Sequence, residues 1–322
     1  MKKENLVEVE PSEPTSAFNT AYSFNRRLWY TFGAVVLAVL LAGFWNYHLV
    51  DGFGRDVIAG NIIGDTSELS GEFDSRGGGF GLIFAAIAGL AATFTACNCV
   101  VFAMIPGLAC STDESNSKKG ALRAFGAFVF GVLMITACYG MYTGYLGPEG
   151  VEALNERAVR LAQAQAVFTL LGIAMLLWGL FEMGYLDMVK RRLSAATRAF
   201  LGQNSTKALL LGVLVGFFAI GRPFPVFREF LTYAASAQNP LYGAVVMMIQ
   251  GIGQIAVMGL LFLLILWTAG DRIAALAASK PYKFRMISSL ALIAGGTYFI
   301  YYWGLAFLFD IGRWGFKLGW YG

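Results

Sequence analysis

Charge is scarce in this chain. Its 24 Lys and Arg and 20 Asp and Glu make up 14% of 322 residues, against roughly 25% in soluble globular proteins, which excludes an ordinary water-soluble enzyme. Histidine is scarcer still, and the single His48 rules out both haem held by two histidines of this chain and a histidine-rich zinc site. The four cysteines, Cys97, Cys99, Cys110 and Cys138, fall within or at the inner end of the second and third apolar runs and none lies in an outer connection, so they do not form an extracellular disulfide framework. The glycine-rich stretches GFGRDVIAG and SRGGGFG lack the strand-to-helix setting of a phosphate-binding loop. They read as a flexible surface segment able to pack on a partner. The first 27 residues mix charges of both signs and have no early apolar region, unlike a cleavable leader. No cofactor and no metal ion is expected.

What the chain has is apolar surface. Hydrophobic residues are 57% of it, aromatics 15%, and the mean hydropathy is +0.61. Seven apolar runs recur, each long enough to cross a hydrocarbon layer of about 30 Å. They begin with LWYTFGAVVLAVLLAGFWNYHLV and continue near 79–108, 121–147, 162–187, 208–236, 241–269 and 286–309. This predicts an all-α polytopic membrane protein whose main surroundings are the lipid bilayer. The connections sort by charge: Lys118, Lys119 and Arg123, then Lys190, Arg191, Arg192, Arg198 and Lys207, then Arg272, Lys280, Lys283 and Arg285 are basic, whereas 51–76 and 148–157 are acidic. Basic connections stay in the cytoplasm, so the expected topology has the N-terminus inside and the C-terminus outside a bacterial-type inner membrane. The net charge of +4 reflects this topology and not nucleic-acid binding.

The expected organisation is a cytoplasmic tail over 1–28, an extra first helix over 29–50, three-helix units over 79–187 and 208–309, and an interfacial aromatic anchor over 310–322. The first span of each unit carries a proline interruption, Pro106 in one and Pro223 with Pro225 in the other. Proline removes a backbone donor, and in lipid the groups it frees must be satisfied inside protein. Helices broken at matching places in two units point to a site between them, and an odd number of spans per unit makes the repeat inverted. Arg222, beside the second break, is costly at membrane depth without a partner. Glu229, Glu182, or the amides Gln250 and Gln254, which share a face at i, i+4 spacing, are the expected companions. The polar site is read as a structural brace, as a substrate or anion site, or as a group that stabilises a thiolate at Cys97.

From Phe80 to Phe309 these residues resemble the transmembrane domain shared by the DsbD thiol reductase and the CcdA cytochrome c biogenesis protein. AAIAGL leads to Thr95-Ala96-Cys97, where that family has Ser/Thr-Pro-Cys. FVFGVLMITACYG (128–140) and LLGIAMLLWGLFEMG (170–184) match its glycine-and-leucine spans, and LLLGVLVGFFAIGRPFPVFREFLTYAASA is similar to its second broken helix. The resemblance implies a reversible disulfide between one membrane cysteine from each half, taking two electrons from a cytoplasmic thioredoxin-like protein. The first cysteine corresponds to Cys97, but the second corresponds to Arg222, which has no thiol chemistry. Cys99 or Cys138 would have to replace it. The leading expectation is therefore a transmembrane thiol-disulfide electron carrier working through Cys97 with Cys99 or Cys138, linked to cytochrome c maturation. Two alternatives stand beside it: a non-catalytic accessory subunit packed against other subunits of a larger membrane complex, and a transporter of a small anion or soft metal centred on Arg222 and Cys97.

Overall fold

The computed structural model describes residues 22–95, 98, 117–186, 188, 192, 194, 197 and 203–320, and these are helical with no strand among them. Among the described residues, seven helices are long and apolar enough to cross a membrane. The chain is a multi-pass membrane protein. α1 spans Phe24–Gly43, and within its first turn the buried Arg27 donates from Nη1 to the Met183 carbonyl at 2.9 Å. Short helices α2 (Tyr47–Gly52), α3 (Gly60–Ile63) and α4 (Thr66–Leu69), with a π-helical turn over Phe53–Ala59, lead to α5 (Phe73–Ala92). α6 (Ser117–Asn155) bends at Gly147, whose φ of 69° is followed by Pro148. α7 is Arg157–Glu182, α8 Asn204–Gly221, α9 Pro225–Ala235, α10 Pro240–Ser279 and α11 Pro281–Phe299. A π-helical turn over Ile300–Ala306 and the short α12 (Phe307–Phe309) and α13 (Trp314–Lys317) close the chain.

Packing runs across the bundle in a definite order. α5 lies on α10, α10 on α6, α6 on α8, α8 on α7, α7 on α11, and α11 on α1. Lipid offers no hydrophobic drive between helices, so contact depends on small residues that let backbones approach. A Cβ at Gly140 would collide with the Gly243 carbonyl and one at Gly243 with the Gly140 carbonyl; one at Gly172 would stand 2.9 Å from the Gly296 oxygen, and one at Gly296 2.6 Å from that of Gly172. Large side chains including Trp29, Leu170 and Trp267 stay exposed on the bundle surface, as a lipid-facing surface requires.

The 51–78 stretch departs from the expectation of a flexible surface segment. It is folded onto its own chain: Ala59, Thr66 and Leu69 are buried, and its π-turn packs on α5. Its glycines serve close packing here. Gly54 sits where a Cβ would strike the Ala91 carbonyl and stand 3.4 Å from the Phe224 ring. The aromatic C-terminal stretch packs on the end of α1, with Trp314 beside Gly43 and Trp320 stacked on Phe44 at 5.0 Å, while Phe316 remains exposed.

Candidate functional site: two stitched helix breaks

The second break is written locally in the sequence. Each residue before a proline is pushed out of the helical region, and Arg222-Pro223-Phe224-Pro225 applies that restriction twice. Arg222 takes φ −71°, ψ 117° and Phe224 takes φ −59°, ψ 124°. α8 therefore ends at Gly221. Pro225 then occupies the first turn of α9, where its missing N–H costs nothing. The freed carbonyls find side-chain donors: Gln163 Nε2 donates to Ile220 O at 2.8 Å and Arg228 Nε to Arg222 O at 2.6 Å.

A break is present after Ala92, ahead of Pro106, which itself lies outside the described residues. α5 stops at Ala92, and polar side chains hold the chain after it. Thr95 Oγ1 and Asn98 Nδ2 both donate to the Ala92 carbonyl at 2.7 Å. Thr93 Oγ1 reaches the Gln254 carbonyl at 3.0 Å, and Gln254 Nε2 donates to Asn98 Oδ1 at 3.2 Å. Thr93, Thr95, Asn98, Gln250 and Gln254 are all buried. Cys97 and Cys99, the neighbours of Asn98 in the chain, lie outside the described residues, as does Cys110.

The expected companions of Arg222 are distributed differently. Arg222 is 1% exposed, with its guanidinium carbon 5.8 Å from the centre of the Phe227 ring. Its charge bears on Asp51 of α2. Burial raises that carboxyl to about 6, while Arg222 and Arg55 pull it down. Glu182 sits elsewhere, at the end of α7, paired with Lys207 at 2.6 Å and Arg285 at 3.5 Å. Glu229 accepts a hydrogen bond from Thr66 of α4. Gln254 belongs to the first break, and the Gln250 backbone packs against Gly89. Cys138 is an exposed free thiol on α6. With Tyr139, Tyr142, Gln163, Phe217 and Ile220 it lines a cavity of about 410 Å³ where α6 and α7 part and α8 forms the floor.

Sequence reasoning did not single out Asp51, Asn98, Gln163 or Arg228. Asn98 in the apolar run TACNCV carried the clearest signal, because a polar side chain at membrane depth is costly unless it has a partner or a function. Asp51 carried none, lying in a stretch read as surface.

Residues 80–294 match the cytochrome C biogenesis protein transmembrane domain. The chain belongs to this family. It is similar to the thiol:disulfide interchange protein DsbD of Pseudomonas sp. (strain JR1 / K1), with 29% identity over 184 residues, 57% of this chain and 30% of that protein. The chain thus matches less than a third of that relative's length. No solved structure matches it. Two of the family features quoted from the sequence, the span after Phe128 and the broken helix after Leu209, correspond to α6 and to α8 with α9.

Proposed function

We propose that this chain is a transmembrane thiol-disulfide electron carrier of the bacterial inner membrane, with its N-terminus in the cytoplasm and its C-terminus outside. A reduced cytoplasmic thioredoxin-like protein attacks the carrier disulfide, a mixed disulfide forms, and its resolution leaves the donor oxidised and the carrier as a dithiol, with two electrons and two protons transferred. Cys97 is the first thiol and Cys99 or Cys138 the second. The observation that carries this reading is the first break itself. A helix that ends at Ala92 for no reason of proline content, and is held there by the buried side chains of Thr95, Asn98 and Gln254, puts costly polar groups at membrane depth directly beside Cys97 and Cys99 in the chain, and such groups mark functional sites in membrane proteins.

The inverted repeat has support of the same kind. Exchanging the two halves carries the α5–α10 contact into α6–α8, and it maps the α6–α10 and α7–α11 contacts onto themselves. The reciprocal Gly140/Gly243 and Gly172/Gly296 approaches are what a twofold axis through those contacts produces.

The test is redox trapping in native membranes. Thiols are acid-quenched and alkylated before and after adding a reduced thioredoxin-like protein, and each cysteine is read by peptide mass. Cycling of Cys97 with either Cys99 or Cys138, lost in Cys97→Ser, is the expected result. Four thiols that stay reduced and unresponsive overturn the proposal.

A further inference from the structure

We propose that residues 44–72 form a built-in plug over the approach to the two helix breaks, and that this plug lifts to admit any protein or ligand that reaches them from that face. The whole segment lies ahead of the family match at 80–294. It nonetheless touches both breaks. Gly54 is wedged between the Ala91 carbonyl, one residue before α5 ends, and the Phe224 ring, between the two prolines of the second break. Phe53 lies edge-on to Phe94 with ring centres 5.0 Å apart. Thr66 donates to Glu229 on α9, and Ala59 and Leu69 are fully covered. The wedge, the ring pair and the hydrogen bond therefore span both halves of the bundle at the place where each is interrupted.

The segment is also built as a unit that moves. Its N-terminal end is fixed where Phe44 stacks on Trp320, and α2 starts afresh after a non-helical step, with the Asn46 side chain accepting from Leu49 N at 3.0 Å. Its C-terminal end leads to Gly77, with φ 71°. Between these ends Leu49, Val57 and Ile62 remain exposed, so the attachment to the bundle is confined to one side. Elements that move are drawn from the weakly packed parts of a fold, and hinges are a few residues at element ends.

The inference rests on the proposed function only for what the plug would admit; the plug is tested without any thiol transfer. Phe94→Cys and Phe224→Cys serve as reporters, one per half, in the full chain in nanodiscs, where both faces are accessible. A bulky charged maleimide is applied and the modified peptide is read by mass, so that native cysteines are counted separately. Glu68→Cys, exposed on the plug, sets the unhindered rate. Both reporters are expected to react at least about tenfold more slowly than Glu68→Cys, and Gly54→Leu, which drives a side chain into the Ala91 carbonyl, is expected to remove most of that difference. Thr66→Val, which deletes the contact to Glu229 and leaves the wedge intact, is expected to give a several-fold rise, and it serves where Gly54→Leu does not elute as a monodisperse species. Reporters as fast as Glu68→Cys beside native Gly54, or equally slow in a monodisperse Gly54→Leu and in Thr66→Val, overturn the plug. Protected reporters together with unresponsive thiols in the redox trap would leave the plug standing and remove the carrier.

Discussion

Asp51 holds its proton where an ordinary aspartate has lost it. Burial raises its carboxyl from 3.8 to about 6 against the pull of Arg222 and Arg55. Between these values the folded protein binds a proton that the unfolded chain has released, so this residue makes the protein most stable at the acid end of the window. That contribution, up to about 3 kcal/mol, disappears as the pH rises to about 6 and is absent above it. Asp51→Asn keeps the neutral form at every pH. It is expected to raise the thermal midpoint at pH 7.5 relative to the native chain and to match it near pH 4. A variant that melts lower than the native chain at pH 7.5 would show that the ionised carboxylate is the preferred partner of Arg222. Glu182 is the opposite case, an acid flanked by Lys207 and Arg285. Removing its charge leaves two cations facing each other at the junction of α7, α8 and α11, and Glu182→Gln is expected to cost about 2–3 kcal/mol, read as a lower midpoint in a detergent melt. No change in that melt would mean the pair is solvated. At this scale the sequence announced that Arg222 needs company and Glu182 needs a cation, because charge at membrane depth is visible in any hydropathy trace. It did not announce which meets which, since Asp51, on whose carboxyl Arg222 acts, lies 171 positions earlier in the chain, on a stretch whose glycines and charges resemble a surface loop.

Among the elements, the two breaks differ in how they are encoded. The second is local: two X-Pro steps force it, and the sequence names its position to the residue. The first is not local. α5 ends at Ala92 through Thr93, Thr95 and Asn98, and half of that stitching comes from Gln254 on another helix, so no window of the chain contains the instruction. The helix contacts are similarly hidden, yet they depend on glycines the sequence displays. Gly140 and Gly243 face each other so closely that neither tolerates a Cβ, and Gly140→Val is expected to destabilise the bundle by about 1–3 kcal/mol, the usual cost of overpacking. Gly126 on the same helix has open space around it. Gly126→Ala is expected to be neutral or stabilising by up to about 1 kcal/mol, and thermal melts of the two variants side by side separate the contact from mere helix propensity. Equal melting of both would show that α6 and α10 can slide apart without loss.

In the molecule as a whole, the seven spans were legible from hydropathy and length because lipid imposes both on any helix that crosses it. The neighbours of each span were not, since helix faces in lipid carry little compositional contrast. α5 lies against α10 and α7 against α11, so each half finds its principal partners in the other. This arrangement has a consequence for how the protein is made. Gly89 on α5 packs against Gly253 on α10, 253 − 89 = 164 residues later in the chain. At about 5–20 residues per second of synthesis, α5 spends roughly 8–33 s in the membrane before its partner exists. Over that interval Thr93 and Asn98 have no Gln254 to meet. The nascent first half must be sheltered by the insertion machinery over that interval, and a mutation that disables the α10 face would leave it unsheltered once synthesis ends.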